Sequence, residues 1–202
     1  MKRNILLFGG AFDPIHWGHL QAMKKALEYT KLFHEGWFLP CFKSAWNDKT
    51  LSSGEDRSNM IEIAIDSFTQ IPGLRNCTYE IENCLTGGTI EIVQSILEDL
   101  GRMFNFHFLI SLEHANQMHL WKNGPRLTKD LSFVVVHRAG VVQDRKIDWY
   151  LGSPHIYIDE PLSSALVSST TVRRQVARDG YSKWVPSEVM KYIEEKGLYR
   201  AP

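Results

Sequence analysis

Two histidines three residues apart end a glycine-rich segment near the amino terminus, residues 8–19, FGGAFDPIHWGH. The adjacent Gly9 and Gly10 free the backbone to bring its N–H groups close to a ligand. The spacing of His16 and His19 predicts that both side chains lie on one face of a helix, where imidazoles add donors that carry charge near neutral pH. Groups of these types are suited to binding an anion such as phosphate.

The segment lies between a predicted strand, residues 4–8, and a predicted amphipathic helix, residues 20–27. The start of a helix presents unpaired N–H groups and a partial positive charge, which favours an anion there. Two other interpretations remain: a plain tight turn with surface histidines, or a zinc site on His16 and His19. Zinc needs three or four protein ligands, and no cysteine or carboxylate stands at ligand spacing beside this pair. The phosphate interpretation is therefore favoured, with no metal held by protein side chains.

A second polar segment lies near the other end of the chain, residues 167–173, VSSTTVR. Hydroxyls at the start of a helix cap it and also donate to phosphate, and an arginine one turn later offers a planar fork to phosphate oxygens. Alone, this segment is typical of a plain helix cap. Together with the glycine-rich segment it indicates phosphate binding by Ser168, Ser169, Thr170 and Arg173.

Composition narrows the class of protein. The 202 residues, 44% hydrophobic and 23% charged, predict one domain over residues 1–202 with an ordinary core. A net charge of zero disfavours nucleic acid as a partner. Three cysteines without a CxxC pair, Cys41, Cys77 and Cys84, fit reduced thiols. No stretch approaches the ~20 apolar residues of a membrane span, and the first strand is too short for a signal-peptide core. We expect a cytoplasmic protein with no membrane partner; a homo-oligomer remains possible.

Apolar runs alternate with helical patterns along the chain. Strands are predicted at 4–8, 36–40, 77–81, 106–110, 131–136 and 155–158, and helices at 20–27, 54–68, 89–100, 170–178 and 186–196. Strands separated by helices indicate an α/β fold, a Rossmann-like doubly wound parallel sheet with helices on both faces. The ligand crevice of such a sheet lies at the carboxyl ends of the strands, and both polar segments follow strands.

The glycine-rich segment and the second polar segment together resemble the motifs of a known family. The pattern G-G-x-F-x-P-x-H-x-G-H is the signature of nucleotidyltransferases related to class I aminoacyl-tRNA synthetases, and residues 167–173 resemble the I-S-S-T-x-x-R segment of their adenylyl-transferring branch. Three weaker matches resemble the nicotinate/nicotinamide mononucleotide adenylyltransferases: residues 55–57 (EDR), 120–122 (LWK) and 136–140 (VHRAG). The phosphopantetheine branch has lysine where this chain has Arg173, and the cytidylyl branch has a different carboxyl-terminal motif.

The resemblance implies transfer of AMP from ATP to nicotinate or nicotinamide mononucleotide, with release of pyrophosphate, in NAD biosynthesis. It implies Mg²⁺ as the cofactor, entering with ATP and held largely by phosphates and water. The implied catalytic residues are His16, His19 and Arg173. The implied ATP-binding residues are Gly9, Gly10, Ala11, Phe12, Gly18, Glu113, Arg138, Ser168, Ser169 and Thr170. The implied acceptor-binding residues are Lys43, Thr89 and Trp121.

The chain departs from the family pattern around the acceptor. The loop from Cys41 to Gly54 lacks the usual proline- and histidine-containing basic segment and offers Lys43, Trp46 and Lys49 instead. The family's G-x-D appears as SLE at 111–113, and its tyrosine and threonines as GGT at 87–89. Two alternatives therefore stay open, an adenylyltransferase for another phosphorylated acceptor and a nucleotide-binding module without catalysis. Trp121 either stacks on the acceptor ring or packs in the core.

Overall fold

A computed structural model describes residues 2–43, 51–162 and 167–200. Its six strands form one sheet in the order β3-β2-β1-β4-β5-β6. Every neighbouring pair is parallel. The strands are β1 (Arg3–Gly10), β2 (Glu35–Pro40), β3 (Leu74–Asn76), β4 (Phe104–Ser111), β5 (Phe133–Arg138) and β6 (Ile156–Leu162). The sheet is the doubly wound type that the alternating pattern predicts.

Helices cover both faces of the sheet, as predicted. They are α1 (Trp17–Thr30), α2 (Gly54–Ser67), α3 (Tyr79–Glu82), α4 (Thr89–Leu100), α5 (Leu112–Asn116), α6 (Gly124–Asp130), α7 (Ser169–Asp179) and α8 (Ser187–Glu195). One core layer joins Leu6 of β1 to the apolar sides of α1, α2, α7 and α8. The other joins Ile5 and Leu7 to α4, α5 and α6. Successive residues of β1 thus face opposite layers, which accounts for its continuous apolar run.

One predicted strand is wrong. Residues 77–81 do not form a strand: the strand ends at Asn76, and Tyr79–Glu82 forms the short helix α3. The Cys77 N–H donates to the Phe38 carbonyl oxygen at 2.7 Å, the last bond to β2. Glu80 of α3 is buried, and its Oε1 accepts the Phe42 N–H at 2.9 Å. Such a tertiary contact outweighs the local strand propensity of the segment. The short helices α5 and α6 were not predicted.

The topology predicts a ligand crevice at the carboxyl ends of β1 and β4, and we call this region the crevice. The chain leaves β1 toward β2 on one side, while β4 pairs with the other side of β1, so the strand order reverses between them. Ligands of doubly wound sheets bind at this reversal.

Among the helices of the described ranges, none has both the length and the apolar character needed to span a bilayer.

Candidate nucleotide-binding site

The two histidines of the glycine-rich segment lie together where helix α1 begins. His16 has an extended backbone, with φ of −148°, and immediately precedes the helix, while His19 lies in its first turn. Their imidazole rings stack with centroids 3.7 Å apart and planes 20° from parallel. The His16 backbone N–H donates to Nδ1 of His19 at 3.3 Å. The spacing therefore brings the rings together as predicted, although only His19 belongs to the helix.

Both imidazoles are neutral near pH 7. His16 is only 4% exposed. Burial, with the nearby positive charge of Arg138, lowers the pKa of His16 to about 3. Burial, followed by the charges of His16 and Arg138, holds the pKa of His19 well below its usual value. The expectation that the pair carries charge near neutral pH is therefore wrong for the protein without a bound anion, because burial disfavours the charged form.

The glycine loop presents one glycine to open space. A methyl group on Gly9 would meet no heavy atom within 4 Å, whereas one on Gly10 would lie 3.2 Å from the Phe12 ring. Phe12 adopts a φ of 48°. Its ring is buried edge-on against His19 and Phe38. Gly9 therefore borders the crevice, while Phe12, predicted to contact ATP, has only its backbone left for a ligand.

Gly18 makes room for the His16 ring. A methyl group on Gly18 would lie 3.0 Å from His16 Nδ1 and 3.1 Å from Val167 Cγ1. Contacts this short would force the imidazole to move. The arrangement gives Gly18 a positioning role toward His16.

The two polar segments meet, although about 150 residues separate them in sequence. Ser169 Oγ donates to the Pro14 carbonyl oxygen at 2.9 Å, and Arg173 Nη1 donates to the Asp13 carbonyl oxygen at 2.6 Å. Ser168 caps α7 by accepting the Thr171 N–H at 3.2 Å. Thr170 Oγ1 accepts from Arg173 Nη2 at 3.4 Å. The Arg173 side chain remains 28% exposed, so its guanidinium both holds the loop and borders the crevice.

Glu113 lies in α5 just after β4, and Arg138 is the last residue of the neighbouring strand β5. Arg138 Nη1 is 3.9 Å from Glu113 Oε2, and their side chains are 24% and 52% exposed. Arg138 Nη2 also donates to the Val167 carbonyl oxygen at 2.8 Å, which links β5 to the start of α7. Glu113 and Arg138, both implied by the resemblance to bind ATP, thus lie close together at the carboxyl ends of β4 and β5.

Trp121 is followed by Lys122, which contacts the start of α4. Thr89 is the first residue of that helix, and Lys122 Nζ lies 2.8 Å from Glu91 Oε1 in the same first turn. The Trp121 ring is partly buried against the core and meets the His114 ring edge-on, with centroids 5.8 Å apart. Both interpretations of Trp121 therefore keep a structural basis.

Lys43, implied by the resemblance to bind the acceptor, lies on the β2 side of β1. Lys43 is exposed three residues past the end of β2, on the far side of β1 from β4. Its Nζ lies 5.8 Å from the centre of the Phe42 ring. Trp46 and Lys49, the other predicted residues of this loop, lie outside the described residues.

Several supporting residues were missed as site residues. Arg57, 1% exposed, donates from Nη1 to the Ala11 carbonyl oxygen at 2.9 Å and from Nε to the Ser52 carbonyl oxygen at 3.1 Å. A charged residue on the apolar side of a predicted helix was the available signal for it. His114, whose Nδ1 lies 3.3 Å from Ser111 Oγ, and Tyr199 gave no such signal.

In the described ranges, no group of three or more His, Cys, Asp or Glu side chains is placed to hold a metal ion. A zinc site on His16 and His19 would lack a third protein ligand there.

A first strand that ends in two glycines, joined by hydrogen bonds to the hydroxyl-rich start of α7 in a doubly wound parallel sheet, fits a nucleotidyltransferase. A family model described as Cytidylyltransferase-like matches residues 7–175. The chain is 31% identical over 202 residues to a probable nicotinate-nucleotide adenylyltransferase of Halalkalibacterium halodurans, covering 99% of this chain and 92% of that protein. It is 30% identical to the probable nicotinate-nucleotide adenylyltransferase of Staphylococcus saprophyticus, over the full length of both.

A solved structure has the same fold. Nicotinic acid mononucleotide adenylyltransferase of Plasmodium falciparum, complexed with NaAD, superposes with a TM-score of 0.81 at 23% identity, covering 98% of this chain and 97% of that one. The chain belongs to the cytidylyltransferase-like family and, within it, to the nicotinate-nucleotide adenylyltransferases.

Proposed function

We propose that the protein transfers AMP from ATP to nicotinate mononucleotide and releases pyrophosphate, a reaction of NAD biosynthesis. One observation supports this most directly: Ser169 and Arg173 donate to the loop carbonyls of Pro14 and Asp13, so the two segments that we assign to phosphate binding are joined by hydrogen bonds. Membership of the nicotinate-nucleotide adenylyltransferases supports the choice of acceptor.

The reaction requires alignment and charge stabilisation more than covalent catalysis. An oxygen of the acceptor's phosphate forms a bond to the α-phosphorus of ATP. The bond from that phosphorus to the oxygen that bridges to the β-phosphate breaks, and its electron pair leaves with pyrophosphate. The acceptor oxygen is already ionised, so no protein base is required. The protein supplies positioning and donors aimed at the developing charge.

We assign these donors to the glycine loop and to α7. The exposed backbone at Gly9 allows the triphosphate to approach β1 closely, with Gly10 and Ala11 continuing the loop. His16 and His19 donate to phosphate oxygens as neutral imidazoles. Arg173 provides the fixed positive charge, and its planar fork matches phosphate oxygens. Gly18 keeps His16 in place, and Thr170 fixes one guanidinium nitrogen of Arg173.

We assign the remaining residues to the two nucleosides. Glu113 accepts from ribose hydroxyls of ATP, and Arg138 borders the same edge of the crevice. Trp121 stacks on the pyridine ring of the acceptor, beside the start of α4 at Thr89. Ser168 and Ser169 act by fixing α7 against the loop rather than by direct contact. Lys43, three residues past the end of β2, is our candidate for contact with another part of the acceptor.

Mg²⁺ enters with ATP as its bound metal. It prefers oxygen ligands and few protein side chains, so phosphate oxygens and water suffice to hold it, and it neutralises phosphate charge when bound.

The free thiols of Cys41, Cys77 and Cys84 fit a reaction in the reducing cytoplasm.

A turnover assay tests the proposal. Purified protein is incubated with Mg-ATP and a panel of phosphorylated acceptors, and dinucleotide and pyrophosphate are quantified. Nicotinate mononucleotide should support turnover with one pyrophosphate released per dinucleotide formed. ADP and free phosphate with every acceptor would contradict adenylyl transfer. Turnover with another acceptor only would overturn the substrate, and nucleotide binding without turnover would favour a non-catalytic module.

A further inference from the structure

The buried carboxylate of Asp13 connects the glycine loop to distant segments of the chain. Asp13 is 1% exposed. Its Oδ1 accepts the Tyr199 hydroxyl at 2.5 Å, and its Oδ2 accepts the Ser52 N–H at 3.4 Å. The guanidinium of Arg173 stands slightly further away, with Nη1 4.0 Å from Oδ2. The same nitrogen instead donates to the backbone oxygen of Asp13 at 2.6 Å.

Tyr199 reaches this junction from beyond the last helix. Helix α8 ends at Glu195, and the chain then turns so that Tyr199 adopts a φ of 62°. A left-handed backbone is costly for a residue with a side chain and persists where surrounding contacts hold it. Burial, followed by the charge of Asp13, raises the pKa of the Tyr199 hydroxyl, which therefore stays a donor.

The Tyr199 hydroxyl and the Arg173 guanidinium are both close enough to interact with the Asp13 carboxylate. A buried carboxylate needs hydrogen-bond donors, because it is costly to leave it unsatisfied in a medium of low dielectric. With Tyr199 bonded to Oδ1, this need is met in part by a neutral group. Without that hydroxyl, Arg173 is the nearest described cation to Asp13, and attraction would draw its guanidinium from the loop carbonyl toward Oδ2.

We propose that Tyr199 is a positioning residue for nucleotidyl transfer: its bond to Asp13 leaves the Arg173 guanidinium directed at the loop and at the bound triphosphate. This inference rests on the proposed function for the role of Arg173. It assigns the segment after α8 a part in the reaction although that segment lies beneath the loop rather than in the crevice. Tyr199 acts through Asp13 and Arg173.

A matched tyrosine separates this role from a structural one. Tyr192 also joins the carboxyl-terminal region to a carboxylate, since its hydroxyl donates to Asp56 Oδ1 at 2.9 Å. Asp56 lies in α2 and not in the glycine loop. Tyr199→Phe and Tyr192→Phe thus each remove one tyrosine–aspartate hydrogen bond, and only the first bond involves the loop.

The test is a double-mutant cycle on the full-length chain. The variants Tyr199→Phe, Tyr192→Phe and Arg173→Ala, with each tyrosine change combined with Arg173→Ala, are compared for thermal unfolding, for kcat and KM with both substrates, and for Mg-ATP affinity by calorimetry. Tyr199→Phe should lower kcat roughly tenfold, less than loss of a whole donor, with little change in KM for the mononucleotide. Its effect should largely vanish beside Arg173→Ala, because nothing is then left to position.

The outcomes are separable. Equal effects of the two tyrosine variants on kcat, or a Tyr199→Phe effect that is unchanged without Arg173, would overturn the inference. If the wild-type chain makes no dinucleotide from nicotinate mononucleotide, the proposed function fails instead. The inference is then decided by Mg-ATP affinity, which Tyr199→Phe should lower only while Arg173 is present.

Discussion

The imidazole rings of His16 and His19 stack at 3.7 Å in a position where neither ring readily takes a proton. A stacked pair with both rings charged would repel, and Arg138 adds a further positive charge nearby. In the proposed reaction the pair acts as a rigid set of neutral donors, and Arg173 supplies the positive charge. This division of roles makes the stability and the activity of the protein respond differently to pH and to mutation.

The stability of the protein should fall as the pH drops below the usual pKa of histidine. In the unfolded chain His16 binds a proton near pH 6.5, but the folded protein resists protonation until about pH 3. The stabilisation is thus complete above pH 6.5 and is lost as the pH falls toward 3. Between pH 7 and 5 the free energy of unfolding of the wild type should drop by about 2 kcal/mol more than that of His16→Gln. Urea unfolding at both pH values measures this, and equal drops would refute the low pKa.

Removal of a phosphate donor should slow the reaction without unfolding the protein. His16→Ala, His19→Ala and Arg173→Ala should each lower kcat by ~10²–10³, the usual loss for one preorganised donor. The exposed His119 provides a control, since His119→Ala should leave kcat unchanged. A zinc-selective chelator in excess magnesium should have no effect. Loss of activity with that chelator would favour the zinc interpretation of the two histidines.

A methyl group at Gly9 should weaken ATP binding while the fold is kept. The added carbon points into open space, so Gly9→Ala adds no clash, and alanine in a strand is no less stable than glycine. The methyl group would occupy the volume next to β1 that we assign to the triphosphate. KM for ATP should rise roughly tenfold, about 1.4 kcal/mol of binding, with an unchanged melting temperature.

Gly152→Ala is the matched control for Gly9→Ala. Gly152 also has no heavy atom within 4 Å of an added methyl group, and its backbone is extended with a φ of −110°. Gly152→Ala should change neither KM for ATP nor the melting temperature. An unaltered KM for ATP in Gly9→Ala would place the triphosphate elsewhere.

The sequence predicts which segments form this site, but it does not predict most of the tertiary contacts that hold those segments in place. The glycine-rich segment between a strand and a helix, and the hydroxyl-rich start of α7, are local patterns, and the rule for parallel sheets brings both to one edge. Nothing local indicates that Tyr199 reaches Asp13, and the position of Arg57 on the apolar side of α2 signals its burial but not its contact with Ala11. Histidine burial is likewise a tertiary property, so the charge expected for His16 and His19 was wrong. At α3, the contact between the buried Glu80 side chain and the Phe42 N–H outweighs a local pattern that is typical of a strand.

Trp121 distinguishes the acceptor half of the crevice from the ATP half. If its ring stacks on the pyridine, Trp121→Ala should raise KM for nicotinate mononucleotide by the equivalent of ~1–3 kcal/mol, by analogy with base stacking on aromatic side chains, and leave KM for ATP nearly unchanged. Trp121→Phe retains an aromatic face and should preserve most of the affinity. Selectivity for carboxylate over amide should persist in both variants, because it requires hydrogen-bond donors that a flat ring does not provide.

Trp149→Ala controls for loss of core packing at Trp121. Trp149 is also partly buried in the core layer that contacts Trp121, but its ring packs against Phe133 and His155. It should lower the melting temperature without a selective change in either KM. Steady-state kinetics with each substrate varied in turn, alongside thermal unfolding, separates the possibilities. Equal weakening of both substrates by Trp121→Ala, with a loss of stability like that of Trp149→Ala, would assign Trp121 to the core and remove it from the acceptor site.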